Sequence, residues 1–316
     1  MSGATRDANW AYAGIEAVVL ENREVRLVVL PSLGGKIYEL RSKRDDVQFL
    51  WHNPRMLPKR APFGANFDNF FVGGWDHPFP TLEPSSVGGE DFPYVGELWS
   101  LPWTWRPVEG DGWIGLEESV QATILPAKLT CRIQLADDAP EFEMHYRLEN
   151  VGTLPFDFMW GLHPCIALDP ETRFHVPARK ATVMQSPDEG VGRVGDVYAW
   201  PALEFKDRTW RVDTSLPPER GVFGLHELVL DEGWFEVERG SGAKLRVEFP
   251  SEIFRVLYLW MVYGGWRGIY HAALEPWTGG GVRLAEAIER GMARRLLPGE
   301  SLKATVRATV APGEGA

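Results

Sequence analysis

"LTCRIQL" (129–135) and "FEMHYRLE" (142–149) decide the fold class of this chain. In the first, Leu129, Cys131, Ile133 and Leu135 alternate with Thr130, Arg132 and Gln134. In the second, Phe142, Met144, Tyr146 and Leu148 alternate with Glu143, His145, Arg147 and Glu149. Successive side chains of a strand point to opposite faces, so a period of two marks a strand buried on one side. Residues 302–310 repeat the pattern, with Leu302, Ala304, Val306, Ala308 and Val310 set against Lys303, Thr305, Arg307 and Thr309. Further strands are expected near 15–21, 24–30, 36–41, 113–121, 244–249, 253–260 and 268–275. One short helix is expected from Val282 to Arg290, bounded by glycines on both sides. So little helix excludes architectures that alternate strands with long helices. The chain reads as all-β: one large antiparallel β-sandwich over 11–316, preceded by a flexible tail at 1–10.

Composition narrows the partners. The 316 residues are 44% hydrophobic, enough for one large core, and carry a net charge of −11. Nucleic acid or an anionic membrane would want a basic face, so neither is expected as a partner. Two cysteines, Cys131 and Cys165, make no disulfide framework, and no apolar run approaches the length of a membrane span. With no leader sequence evident either, the chain reads as cytoplasmic. The 14 tryptophans stand out. A β-sandwich core accounts for part of them, and a concave aromatic surface suited to the C–H faces of sugars accounts for the rest.

The Pro/Gly-rich stretch 52–103 is too long for a mere connection, and loops of that size usually carry function. It holds "FVGGWDHPFPTLEP" (71–84) and leads into "GELWSLPWTW" (96–105). Asp76, His77, Glu83 and Glu97 stand there among Trp75, Trp99, Trp103 and Trp105. Each polar residue alone suits a turn as well as a ligand; their company favours a pocket rim. "FMWGLHPCIAL" (158–168) holds one histidine, His163, in an apolar run, which fits a core histidine bonded to backbone as well as a functional one. "AALEPWTGG" (272–280) ends an apolar strand in a single carboxylate, Glu275, whose burial would raise its pKa. Zinc-site spacing, a nucleophile elbow and a phosphate loop are all missing from the sequence, so neither metal nor cofactor is expected.

Taken together, these motifs resemble the galactose mutarotase-like aldose 1-epimerases. "LPSLGGKIYEL" (30–40), "GGWDHPFPT" (73–81), "WGLHPCIAL" (160–168), "LEPWTG" (274–279) and "ERGMARRLLPGES" (289–301) occur in that family's order. The resemblance implies a large sandwich with a sugar groove on one sheet. It makes Glu275 the general base and His163 the general acid of a ring-opening reaction, their side chains about 5–8 Å apart, as in other two-group sugar sites. The residues expected to bind the sugar are Trp75, Asp76, His77, Glu97 and Trp99. Two positions depart from the family pattern. Val95 stands where many members carry a second histidine, and Val72 where phosphate-accepting relatives have arginine. The first departure leaves open an epimerase or isomerase of a modified sugar, or a non-catalytic sugar-binding protein.

Overall fold

The computed structural model describes residues 3–187 and 190–313, and in it two large antiparallel sheets lie face to face. The period-two segments form the smaller sheet. Its eight strands run in the order 173–175, 234–238, 244–248, 301–311, 141–150, 127–136, 113–121 and 104–110. Leu129 lies opposite Leu148, Cys131 opposite Tyr146 and Ile133 opposite Met144, so the apolar half of each strand faces the other sheet. The polar half faces outward and carries cross-strand ion pairs such as Arg307 with Glu143 (2.6 Å), each worth little at an exposed site.

The larger sheet has twelve strands and obeys a different rule. Its centre runs Lys36–Ser42, Trp75–Asp76, His163–Ala167, Tyr270–Trp277, Val256–Tyr263, Val222–Leu230, Ala178–Gln185. The strands at its middle, His163–Ala167, Tyr270–Trp277 and Val256–Tyr263, are buried on both faces, so their sequences read as apolar runs rather than alternations. One face presents Trp75, Ile166, Leu257, Leu259 and Leu274 to the core between the sheets. The stretch 52–103 covers the other face. There Trp51, Phe67, Phe71, Val95 and Trp99 meet Cys165 and Val262 of the sheet and Ile269 just ahead of the Tyr270–Trp277 strand. The same stretch also enters the sheet, because Trp75–Asp76 forms a two-residue strand between Lys36–Ser42 and His163–Ala167.

Two expectations are corrected. Most of the expected tail at 1–10 is not loose, since Thr5–Tyr12 is an edge strand paired with Ile15–Glu21; residues 1 and 2 lie outside the described residues. Its side chains are mostly exposed and its register breaks between Asp7 and Trp10, so backbone pairing holds it and no alternation marks it. The strands expected at 253–260 and 268–275 lie at 256–263 and 270–277, because the 250–254 turn and the Gly264–Gly268 connection delay both. The helix spans Leu284–Glu289, inside the expected range. Among the described residues no helix is long and apolar enough to cross a membrane.

Glu118 occupies a core-facing position of the smaller sheet, fully buried, and neither carboxyl oxygen has a hydrogen-bond partner. Burial raises its pKa well above the ordinary 4.5, so the folded protein holds it neutral. Its contribution to stability is therefore fully present below the unfolded-chain pKa and is lost as pH rises. Glu118→Met should stabilise the fold, by an amount that grows between about pH 5 and pH 8, read from urea unfolding at each pH.

Candidate active site

Register builds the site. His163 pairs with Asp76, and the bridges of Cys165 to Ala273 and Gly161 to Trp277 place His163 opposite Glu275. Ile37 pairs with Trp75, which sets Lys36 opposite Asp76, and Tyr258 pairs with Glu275 on the far side. Directly opposed residues of an antiparallel sheet share a face. Lys36, Asp76, His163, Glu275 and Tyr258 thus form one row across five adjacent strands, on the face turned towards the 52–103 cover.

Every member of that row is buried. His163 Nε2 lies 3.6 Å from Glu275 Oε1, and His163 Nδ1 lies 3.9 Å from Asp76 Oδ2. Lys36 Nζ forms an ion pair with the other Asp76 oxygen and donates to the Gly73 carbonyl at 2.7 Å. Trp277 Nε1 donates to Glu275 Oε2 at 3.1 Å. That indole lies flat over Gly161, where any Cβ would come within 2.4 Å of the ring, so only glycine fits. Cys165 Sγ is 3.8 Å from His163 Nδ1, and burial pushes its thiol pKa up.

The charges set each other's protonation. Burial raises the Glu275 pKa above 4.5, only partly opposed by His163 and the Trp277 hydrogen bond. Burial works against a charged His163, but the Glu275 and Asp76 carboxylates favour it and lift its pKa above 6.5, while Cys165, held protonated by burial, adds no charge. Asp76 also pays for burial, yet Lys36 and His163 hold it below the ordinary carboxylate range. At neutral pH the imidazole is a proton donor beside a carboxylate made more basic by desolvation.

His163 and Glu275 open into a cavity walled by Phe67, Pro78, Leu82, Glu83, Tyr94 and Val95 from the cover, and by Gln185, Phe223, Leu225 and Trp260 from the sheet. Gln185 Nε2 donates to Glu83 Oε1 at 2.8 Å, leaving hydrogen-bonding capacity on both groups at the wall. Val95 has φ +63°, a left-handed conformation rare for a β-branched residue, and such strain clusters at functional sites.

The structure brings together only some of the expected residues. His163, Glu275 and Asp76 meet. Trp75, by contrast, points into the core between the sheets, because it alternates with Asp76 on the same short strand. His77 also turns to that core, where its Nε2 meets the Tyr146 hydroxyl at 3.0 Å. Glu97 accepts the backbone N–H groups of Thr123 and Ile124, both at 2.6 Å, and caps that turn away from the cavity. Trp99 is one ring removed, edge-on to Phe67 at 5.0 Å. Lys36, Phe67 and Trp260 escaped the sequence reading. Lys36 follows a glycine pair that reads as a turn, and Trp260 sits in an apolar strand that reads as core. A lysine opening an otherwise apolar strand was the available signal for the first. Among the described residues, His175, Glu236 and Glu238 are spaced to hold a metal ion, but they lie on the smaller sheet and are partly exposed.

No protein-family model and no curated protein matches the chain by sequence. Solved structures share its architecture, which is the galactose mutarotase-like fold. A candidate aldose 1-epimerase of Klebsiella pneumoniae superposes with a TM-score of 0.77 at 13% identity, covering 98% of this chain and 83% of its own. A galactose mutarotase-like protein of Lactobacillus casei gives 0.63 at 15% identity, covering 93% and 100%. Another from Clostridium acetobutylicum gives 0.65 at 13%, covering 98% and 99%.

The Trp277 hydrogen bond lowers the Glu275 pKa, so Trp277→Phe should raise it. Carbon-13 NMR of the Glu275 carboxyl should show the titration midpoint moving upward in the variant, with the fold retained.

Proposed function

We propose that the protein is an aldose 1-epimerase, interconverting the α and β anomers of a sugar. The observation that carries this reading is the pairing of His163 with Glu275 at the floor of an aromatic-walled cavity, with pKa shifts that make one an acid and the other a base. Anomer exchange requires opening and reclosing the hemiacetal. Glu275 takes the proton of the C1 hydroxyl while His163 gives one to the ring oxygen, and the C1–ring oxygen bond breaks to leave the open-chain aldehyde. Rotation about C1–C2 turns the other aldehyde face towards the hydroxyl, and the two proton transfers then run in reverse.

The 3.6 Å contact is shorter than the expected 5–8 Å, so no sugar ring fits between the two groups. The substrate instead presents one edge to both. Its C1 hydroxyl and ring oxygen are bonded to the same carbon, which suits an acid and a base standing side by side. Trp260, half-buried at the cavity wall, takes the stacking role expected of Trp75 and Trp99. The free, buried Cys131 and Cys165 suit a cytoplasmic setting.

Glu275→Gln keeps the shape but cannot accept a proton, and should lower kcat by about 10²–10⁴-fold in polarimetry of freshly dissolved α-anomers. His163→Asn should do the same, and the double variant should cost little more, because the two act as a unit. A folded Glu275→Gln protein with ordinary turnover would refute the mechanism. The wild-type rate profile should be bell-shaped. Activity falls on the acid side as Glu275 gains its proton, above the ordinary 4.5, and on the alkaline side as His163 loses its own, above 6.5. Trp260→Ala should raise KM more than it lowers kcat, since stacking binds ground and transition states about equally.

A further inference from the structure

We propose that Asp76 and Lys36 are positioning residues for the proton donor: Asp76 receives the Nδ1 side of His163, Lys36 pins Asp76, and Nε2 is thereby the atom that exchanges a proton with the substrate. This inference rests on the acid role of His163.

The geometry assigns each atom. One Asp76 oxygen is held by Lys36 Nζ. The other has no hydrogen-bond partner, although it is buried, and His163 Nδ1 stands 3.9 Å from it. Nε2 is on the opposite side of the ring, 3.6 Å from Glu275. Lys36 is fixed in turn by the Gly73 carbonyl. Gly73 has φ +81°, and a Cβ there would lie 2.0 Å from the Trp51 carbonyl oxygen, so the loop can deliver that carbonyl only with glycine.

Electrostatics gives the row a purpose. Lys36, Asp76, His163 and Glu275 alternate plus, minus, plus, minus along it. When His163 gives up its proton and Glu275 gains one, the row keeps the same net charge of zero. Net charge is the costly quantity in a desolvated interior, and here it does not change as the protons move. Lys36 is what makes the sum close: without it, Asp76 would be an uncompensated buried carboxylate. The other groups facing the imidazole leave this assignment in place. Cys165 is a neutral thiol, and His271, from the Glu275 strand, is kept neutral with its pKa lowered by burial to about 3. The rings of Phe67, Phe71 and Trp260 carry no charge.

The test is a nitrogen-15 NMR titration of the histidines in the full chain, which reads His163 whether or not a sugar turns over. Asp76→Asn keeps a hydrogen-bond acceptor and removes the charge. Lys36→Met with Asp76→Asn removes both charges, so neither is left unpaired if the single variant folds poorly. In Asp76→Asn the His163 midpoint should fall by about 1 pH unit or more, the usual effect of losing a carboxylate at this range, and in the double variant it should fall by less, because losing the Lys36 charge offsets part of the shift. The alkaline limb of the rate profile should move down by the same amount, with KM nearly unchanged. An unmoved midpoint in both variants overturns the proposal. So does a several-fold rise in KM with the midpoint unmoved, which would make Asp76 a sugar ligand. A lowered midpoint in a protein that anomerises no sugar supports the positioning and removes the acid role on which it was built.

Discussion

Strand register is the constraint on which this molecule depends. Because the central strands of the larger sheet are buried on both faces, any polar side chain on them must find its partners within the sheet or in the cover. The chain meets that demand by aligning Lys36, Asp76, His163 and Glu275 across four strands so that each has a neighbour of complementary character, while Tyr258 on the fifth bonds Glu227 and the Gly281 carbonyl. A slip of one residue in any of these strands would turn its member of the row into the opposite core and strand the remainder. The register is therefore held from both sides. The apolar residues between the row members, such as Leu274 and Ile166, fill the core between the sheets and admit no other alignment.

How much of this was legible in the sequence follows from the same burial. The smaller sheet has one wet face, so "LTCRIQL" and "FEMHYRLE" announce their strands and even their orientation. The central strands of the larger sheet have none, and Val222–Leu230 carries no alternation to read. His163 and Glu275 could be singled out because each is a lone polar residue in an apolar run. His226, beside Glu227, carried no such signal. It turned out to be a core histidine bonded to the Tyr198 hydroxyl at 2.7 Å and the Val191 carbonyl at 3.1 Å. The aromatic cluster at 71–105 was harder, because composition alone does not say which ring faces which way. Trp75 and Asp76 are consecutive on one strand, so only one of them could join the row on the cover side, and it is the carboxylate.

Neighbouring pairs repeat that lesson. His77 and Glu97 are as buried as the row itself, yet one joins Tyr146 in the core and the other caps the 123–125 turn. A buried polar group asks for a partner, and an ordinary structural partner answers as well as a reactive one. What separates the two outcomes here is the cavity. Asp76 keeps one oxygen unbonded beside His163, whereas both Glu97 oxygens accept backbone N–H groups.

The origin of the cavity walls has a consequence for how such a protein can diversify. Phe67, Leu82, Glu83, Tyr94 and Val95 all come from the cover, whereas His163 and Glu275 sit on the sheet. The cover is nevertheless not a free cassette, because its middle, Trp75–Asp76, is a strand of the sheet and carries one member of the row. Inherited change is thus channelled into the two arms on either side, around residues 54–70 and 82–95. Those arms could be re-tailored to reshape the cavity while the segment between them stays locked in place.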